Sequence, residues 1–320
     1  MVDDELLEGA DTVVTQCLDI SRDENVLILN DGNDQDLLDA LMEKAQESAG
    51  LVAYKEYEEP ENHGEEPPEE VTDAMKDFDV VIAPTKKSIS HTDARTEACE
   101  SGARVTTMPG INKEIWNSSL KADYEQVAYI SEKVYELLEN TDEVRITTPS
   151  GTDLRLDINI DYFHTDTGLI HEPGEFGNLP AGEADGGAVS ARGKLVIDHF
   201  PFAPEGTEVE IKDNEAVAVR HTEADESELS EAFEEIEGAR TVAEFGFGTN
   251  EEATLIGNVL QDEKVLGTVH IAFGDNTSYI KDKGANPCKI HWDTVCDSPT
   301  VFFDDKKVLD QGDPVFLDRV

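Results

Sequence analysis

The sequence predicts an α/β protein in two parts, a doubly wound parallel sheet over residues 1–140 and a strand-rich α+β domain over 141–320. Three observations carry this expectation. The first part alternates short, continuously apolar runs with helical stripes, the pattern of a parallel sheet covered on both faces. From Val144 onward, apolar and polar residues alternate between turn signals, as in half-buried antiparallel strands. The 320 residues, 38% of them hydrophobic, are enough for two ordinary domains with substantial cores.

Residues 1–20 read as an opening helix, with Leu6, Leu7, Ala10, Val13, Val14 and Leu18 recurring at about 3.6 residues. Val26 to Leu29 is an apolar strand stopped by Asp31-Gly32. Residues 35–48 carry Leu37, Leu38, Leu41, Met42 and Ala45 on one helical stripe, which Gly50 is expected to end. Leu51 to Tyr57 forms a second strand, followed by an acidic, Pro-rich loop at 58–70. Asp79 to Ala83 is a strand stopped by Pro84, residues 92–100 a helix, and Ala103 to Met108 a further strand. His91 and Arg95 stand one turn apart at that helix start, as a cap and surface pair or as a pair presented to a cleft. The turn after the first strand is NDGND rather than GxGxxG, so this Rossmann-like layout lacks the phosphate-cradling glycines of a dinucleotide site.

Residues 121–139 form a helix with Val127, Ile130, Val134, Leu137 and Leu138 on one face. Beyond it, VRITT, LRLDINI, KLVIDHF, TEVEIK and EAVAVR are alternating strands. Helical segments return near 227–237 and 251–260, with strands around 241–245, 267–272, 289–295 and 299–303. Residues 221–235 read as a solvated acidic helical face.

The formal net charge is −47, from 72 Asp and Glu against 25 Lys and Arg, spread along the whole length. Such self-repulsion opposes a compact state unless salt screens it. The composition therefore reads as that of a halophilic, cytoplasmic protein. It excludes nucleic acid as a partner, because no basic stripe is present to neutralise phosphates. A membrane is excluded by the same deficit and by the lack of any apolar run near ~20 residues. The N-terminus MVDDELLEGA has no signal-peptide pattern. Cys17, Cys99, Cys288 and Cys296 form no CxxC pair and read as reduced thiols, although Cys288 and Cys296 flank His291.

In so acidic a chain, a carboxylate carries meaning only through its surroundings. His291-Trp292-Asp293 is an HxD on a strand, where residues i and i+2 share a face, so imidazole and carboxylate stand side by side while Trp292 faces packing. His270 sits among small residues in GTVHIAFG, as a satisfied core histidine or as a ligand. Glu244, in TVAEFGFGTN, is flanked by Ala243 and Phe245, and a buried carboxylate there needs a cation, a metal or a proton. Glu183 ends the turn NLPAGE, which presents it to a cleft or caps a helix. Together, three carboxylates and two imidazoles are enough ligands for two adjacent divalent ions of a hydrolytic centre, with Zn, Co or Mn suited to the oxygen-rich shell.

The ordered segments GNLPAGE, AEFGFGTN, DEKVLGTVHIAFG and IHWD, with SISHTDAR and GARVTTMPGI in the first half, resemble the aminopeptidase T (thermophilic leucyl aminopeptidase-type) metallopeptidase family. The resemblance implies a homodimer, an α/β N-terminal domain and a metal-bearing C-terminal domain. It also implies cocatalytic metal ligands at Glu183, Glu244, His270, His291 and Asp293. The expected activity is hydrolysis of the N-terminal bond of a peptide substrate, with Glu183 or Glu244 moving the proton. The family tyrosine falls at Thr277, with Tyr279 two residues later as its substitute and catalytic candidate. Shorter relatives, the 2,5-dihydroxypyridine dioxygenases, are similar to the same scaffold and imply the alternative, one Fe(II) on His270, His291 and Asp293. A third possibility is a binding protein with a vestigial site.

Overall fold

The computed structural model describes residues 2–221 and 227–317. Its strands, in chain order, are β1 (Asn25–Asn30), β2 (Leu51–Glu56), β3 (Val80–Ala83), β4 (Arg104–Thr107), β5 (Glu143–Thr147), β6 (Asp153–Asp166), β7 (Phe176–Asn178) and β8 (Glu183–Val196). They continue with β9 (Glu208–Lys212), β10 (Glu215–Arg220), β11 (Val242–Gly248), β12 (Val269–Gly274), β13 (His291–Cys296), β14 (Thr300–Phe303), β15 (Lys306–Asp310) and β16 (Asp313–Pro314). The chain divides into two units, Met1–Ala128 with Asp166–Ala181 and Glu251–Thr254, and Tyr129–Thr165 with Gly182–Asn250 and Leu255–Val320.

In the first unit the apolar runs form a five-stranded parallel sheet, ordered β2-β1-β3-β4-β7. β3 and β4 are buried along their whole length, β3 as a continuous apolar run covered on both faces and β4 with Arg104, Thr106 and Thr107 buried beside Val105. Leu27, Leu29, Val81 and Val105 pack in one core with Met75, Ala94 and Ala98 from the helices Glu69–Lys76 and Asp93–Glu100. Asp34 caps the helix Gln35–Ser48 through the Asp36 amide, and Thr92 caps Asp93–Glu100 through the Arg95 amide.

Several local expectations change. The opening helix is α-helical only over Asp4–Asp11 and widens to a π-helix over Thr12–Cys17. The helix ends before Gly50, at Ser48 with an extended Ala49, and Gly50 serves close approach instead, because a Cβ there would lie 2.5 Å from the Arg22 carbonyl oxygen. The helix Glu69–Lys76 follows the Pro-rich loop without having been expected, its apolar stripe reduced to Val71 and Met75. β7 was also missed, since three residues cannot show a period. The helix expected over 251–260 shrinks to Val259–Asp262. Of the acidic helical face, Glu228–Glu235 is helical, while residues 222–226 lie outside the described residues.

The second unit is built on an eleven-stranded sheet running β13-β12-β11-β8-β6-β5-β14-β15-β16, with β9 and β10 branching from β8. The recorded pairings in it are antiparallel. β11 is buried at every residue, with Phe245 and Phe247 in a core that includes Val269, Ile271 and Phe273 of β12. The opposite face of β11 carries Glu244, Gly246 and Gly248, because side chains alternate along a strand. Among the described residues no helix is long and apolar enough to cross a membrane.

Candidate metal centre

Register gathers the functional side chains on that second face. Glu244 and Asp293 stand on either side of Ala272, one on each neighbouring strand. Gly246 is opposite His270 on one side and Asp185 on the other, and Gly248 is opposite Glu183. His291 precedes Asp293 by two residues on β13, so both point the same way. Small residues make the space. A Cβ at Gly246 would lie 2.0 Å from the His270 ring.

Glu244 is the hub. Its Oε1 lies 2.9 Å from His270 Nε2, and its Oε2 lies 2.8 Å from His291 Nε2. The Tyr279 hydroxyl donates to the same Oε2 at 2.7 Å. His291 Nε2 is also 3.4 Å from Asp293 Oδ1. The Asp275 carbonyl, 2.7 Å from His291 Nδ1, accepts that ring N–H and leaves Nε2 facing the two carboxylates. Glu183 Oε2 lies 3.6 Å from the same His270 Nε2, and Glu183 Oε1 accepts a hydrogen bond from the Lys264 ammonium.

The five expected residues are thus brought together. Tyr279 reaches the cluster, whereas the Thr277 hydroxyl donates to Asp275 Oδ1 within its own turn. Glu183 opens a fourteen-residue strand rather than capping a helix. Cys288 Sγ faces the Glu237 carbonyl at 3.4 Å, and neither it nor buried Cys296 joins the cluster. In the first unit, Arg95 donates to the Ser90 carbonyl and lies 4.4 Å over the Phe176 ring.

Three participants escaped the sequence reading. Asp185 follows Glu183 by two residues on β8, a same-face spacing that was visible in GEAD. Glu263 and Lys264 gave no signal, because a turn and the Asn250–Val265 bridge place them.

The charges explain the electrostatics. Burial alone would lower the His270 pKa, but Glu244, with Glu183 and Asp293, pushes it up to about 10. His291 is likewise raised, against burial, by Asp293 and Glu244. Burial would raise Glu244, yet both imidazoles hold it well below the carboxylate range. Burial, together with Glu183 and Glu244, raises Asp185. Burial pushes Glu263 to about 8 against the lowering pull of Lys264, with Asp293 and Glu183 adding to the rise. A potential that raises both imidazoles is one that attracts cations.

The donor set fits a metal ion. Two groups hold their ligand atoms within 4.8 Å, Glu244–His291–Asp293 and Glu263–His270–Asp293, and Asp293 belongs to both. Glu183 Oε2, Asp185 Oδ1, His270 Nδ1 and Asp293 Oδ1 are buried without a hydrogen-bond partner. Unsatisfied buried polar atoms concentrated at one place call for an ion or water.

Comparison with known proteins narrows the chemistry. The family model described as 2,5-dihydroxypyridine 5,6-dioxygenase (NicX) matches residues 5–316. No curated protein matches significantly. The fold is similar to that of 2,5-dihydroxypyridine dioxygenase from Pseudomonas putida KT2440, with a TM-score of 0.79 and 18% identity, covering 98% of this chain and 97% of that one. It is also similar to wild-type AmpT from Thermus thermophilus, with a TM-score of 0.72 and 18% identity, covering 98% and 99%. The scaffold is therefore shared by both, and at such identity it speaks for the fold alone. The family match overturns the expected aminopeptidase activity and its hydrolase class, which had rested on motifs common to the scaffold. A match over nearly the whole length makes this chain a member of the 2,5-dihydroxypyridine 5,6-dioxygenase family.

Proposed function

We propose that the protein is a ring-cleaving dioxygenase acting on a dihydroxypyridine through one Fe(II) held by His270, His291 and Asp293. The supporting observation is the convergence on Asp293, whose carboxylate belongs to a candidate ligand group with each of the two histidines. Two imidazoles and one carboxylate with open positions are the donor set of non-haem Fe(II) oxygenases. When bound, the ferrous ion supplies the redox chemistry by which dioxygen reacts with an electron-rich ring.

The chain's own residues do the rest. The Asp275 carbonyl orients the His291 ring, and Gly246 leaves room for that of His270. Glu244 stands beside the Nε2 atoms of His270 and His291 that would hold the ion and accepts the Tyr279 hydroxyl, so it can hold or pass a proton beside a bound phenolic substrate. Burial of His270 and Glu244 excludes bulk water from that side.

The test is oxygen uptake. Protein stripped of metal and reloaded anaerobically with Fe(II) is expected to consume oxygen and 2,5-dihydroxypyridine in equal amounts, with loss of the ring's ultraviolet absorbance. Metal-free protein is expected to do neither. An Fe(II)-loaded protein that takes up no oxygen with this substrate or its ring isomers would sink the reading.

A further inference from the structure

We propose that Lys264 is a resident cation of the centre, held between Glu183 and Glu263, and that it restricts the centre to a single divalent ion by filling the place where a second would bind. The inference rests on the one-metal reading above.

Lys264 is only 2% exposed, and lysines are rarely buried without a carboxylate partner. Its ammonium donates to Glu183 Oε1 and lies 2.8 Å from Glu263 Oε1. Both carboxylates belong to the candidate metal cluster. Glu263 groups with His270 and Asp293, and Glu183 Oε2 lies 3.6 Å from His270 Nε2. That Oε2 has no hydrogen-bond partner although the residue is only 6% exposed. Without the ammonium, Glu183 and Glu263, with the Asp293 carboxylate that both ligand groups share, would offer an oxygen-rich shell suited to a divalent ion. With it, a second dication would share those carboxylates with a like charge in a poorly screened interior.

The lysine is not an incidental visitor to this place. The Asn250 amide donates to the Lys264 carbonyl at 2.8 Å, and the Lys264 amide donates to the Gln261 carbonyl at 3.0 Å. The backbone therefore fixes where its side chain starts. The five-ligand set that suggested two metals counted Glu183 as free to bind one, whereas its Oε1 is taken.

The experiment is a metal count on the full chain, equilibrated with excess Mn²⁺ or Zn²⁺, passed through a desalting column and measured by elemental analysis. Wild type is expected to retain one ion per chain, Lys264→Met two, and Lys264→Arg, which keeps the charge, one. Circular dichroism reports whether each variant folds. One ion in folded Lys264→Met overturns the inference and leaves the one-metal reading standing. Two ions in wild type also overturn it, even where Lys264→Met does not fold, and oxygen uptake then judges the activity separately. No ion in wild type sinks the one-metal reading itself and the inference with it.

Discussion

Gly246 shows how much the centre depends on a side chain that is absent. It stands opposite His270 in the β11–β12 ladder, and the imidazole lies over its Cα. A methyl group there would lie 2.0 Å from ring carbon Cε1 and 2.1 Å from Nε2. Neither strand can yield, because both are buried along their length and hydrogen-bonded on both edges. The ring must therefore leave its place against Glu244. Gly246→Ala is expected to cost about 1–3 kcal/mol, as overpacking does in a filled interior. It is also expected to lose retained metal, which thermal unfolding and elemental analysis would measure. A variant with wild-type stability and metal content would show that the ring's position is not set by this contact.

At the scale of elements, the parallel sheet of the first unit is anchored by a buried charge. Arg104 opens β4 at 4% exposure, and its guanidinium donates to the Leu18 and Ile170 carbonyls and to the Glu24 carboxylate. Burial would raise the Glu24 carboxyl, but the Ser21 amide and Arg104 outweigh it and hold the pKa below its usual 4.5. A carboxyl lowered on folding contributes stability that is fully present above its unfolded value and lost as pH falls through the folded one. The stability difference between wild type and Glu24→Gln is therefore expected to favour wild type at neutral pH and to shrink below about pH 4.5. Urea unfolding midpoints over this range test the point, and a pH-independent difference would remove the pair from the account.

For the whole molecule, the dominant quantity is the net charge of −47. Ion pairs offset only part of it, since 25 basic residues face 72 acidic ones. Raising salt from ~0.1 M to ~1 M shortens the screening length from about 10 Å to about 3 Å. The melting temperature is expected to climb over that range in NaCl and KCl alike, the direction a self-repelling acidic surface requires. A melting temperature that is flat or falls with salt would remove the proposal of a salt-adapted surface.

Alternation was enough to put His291 and Asp293 on one face and to mark Glu244 as a carboxylate in an apolar strand, because a strand's period of two is a local property. Short strand-like runs were likewise enough for four strands of the parallel sheet of the first unit, but not for β7, which is three residues long. Register is not local. That Glu244 and Asp293 flank Ala272, and that Gly246 faces His270, follows from strand pairing between distant segments. Lys264 meets Glu183 across 81 residues, and that pairing turned an apparently free ligand into half of an ion pair. Tyr279 rather than Thr277 reaches Glu244 because the Asp275 side chain holds the Thr277 amide and hydroxyl in a turn. The local ligand pattern suits a hydrolase and an oxygenase equally, since both need imidazoles and carboxylates at the same positions. The choice between them rested on a match over residues 5–316, and the arrangement that one metal ion would meet was decided by the tertiary structure, where distant strands and a buried lysine set which donors remain free.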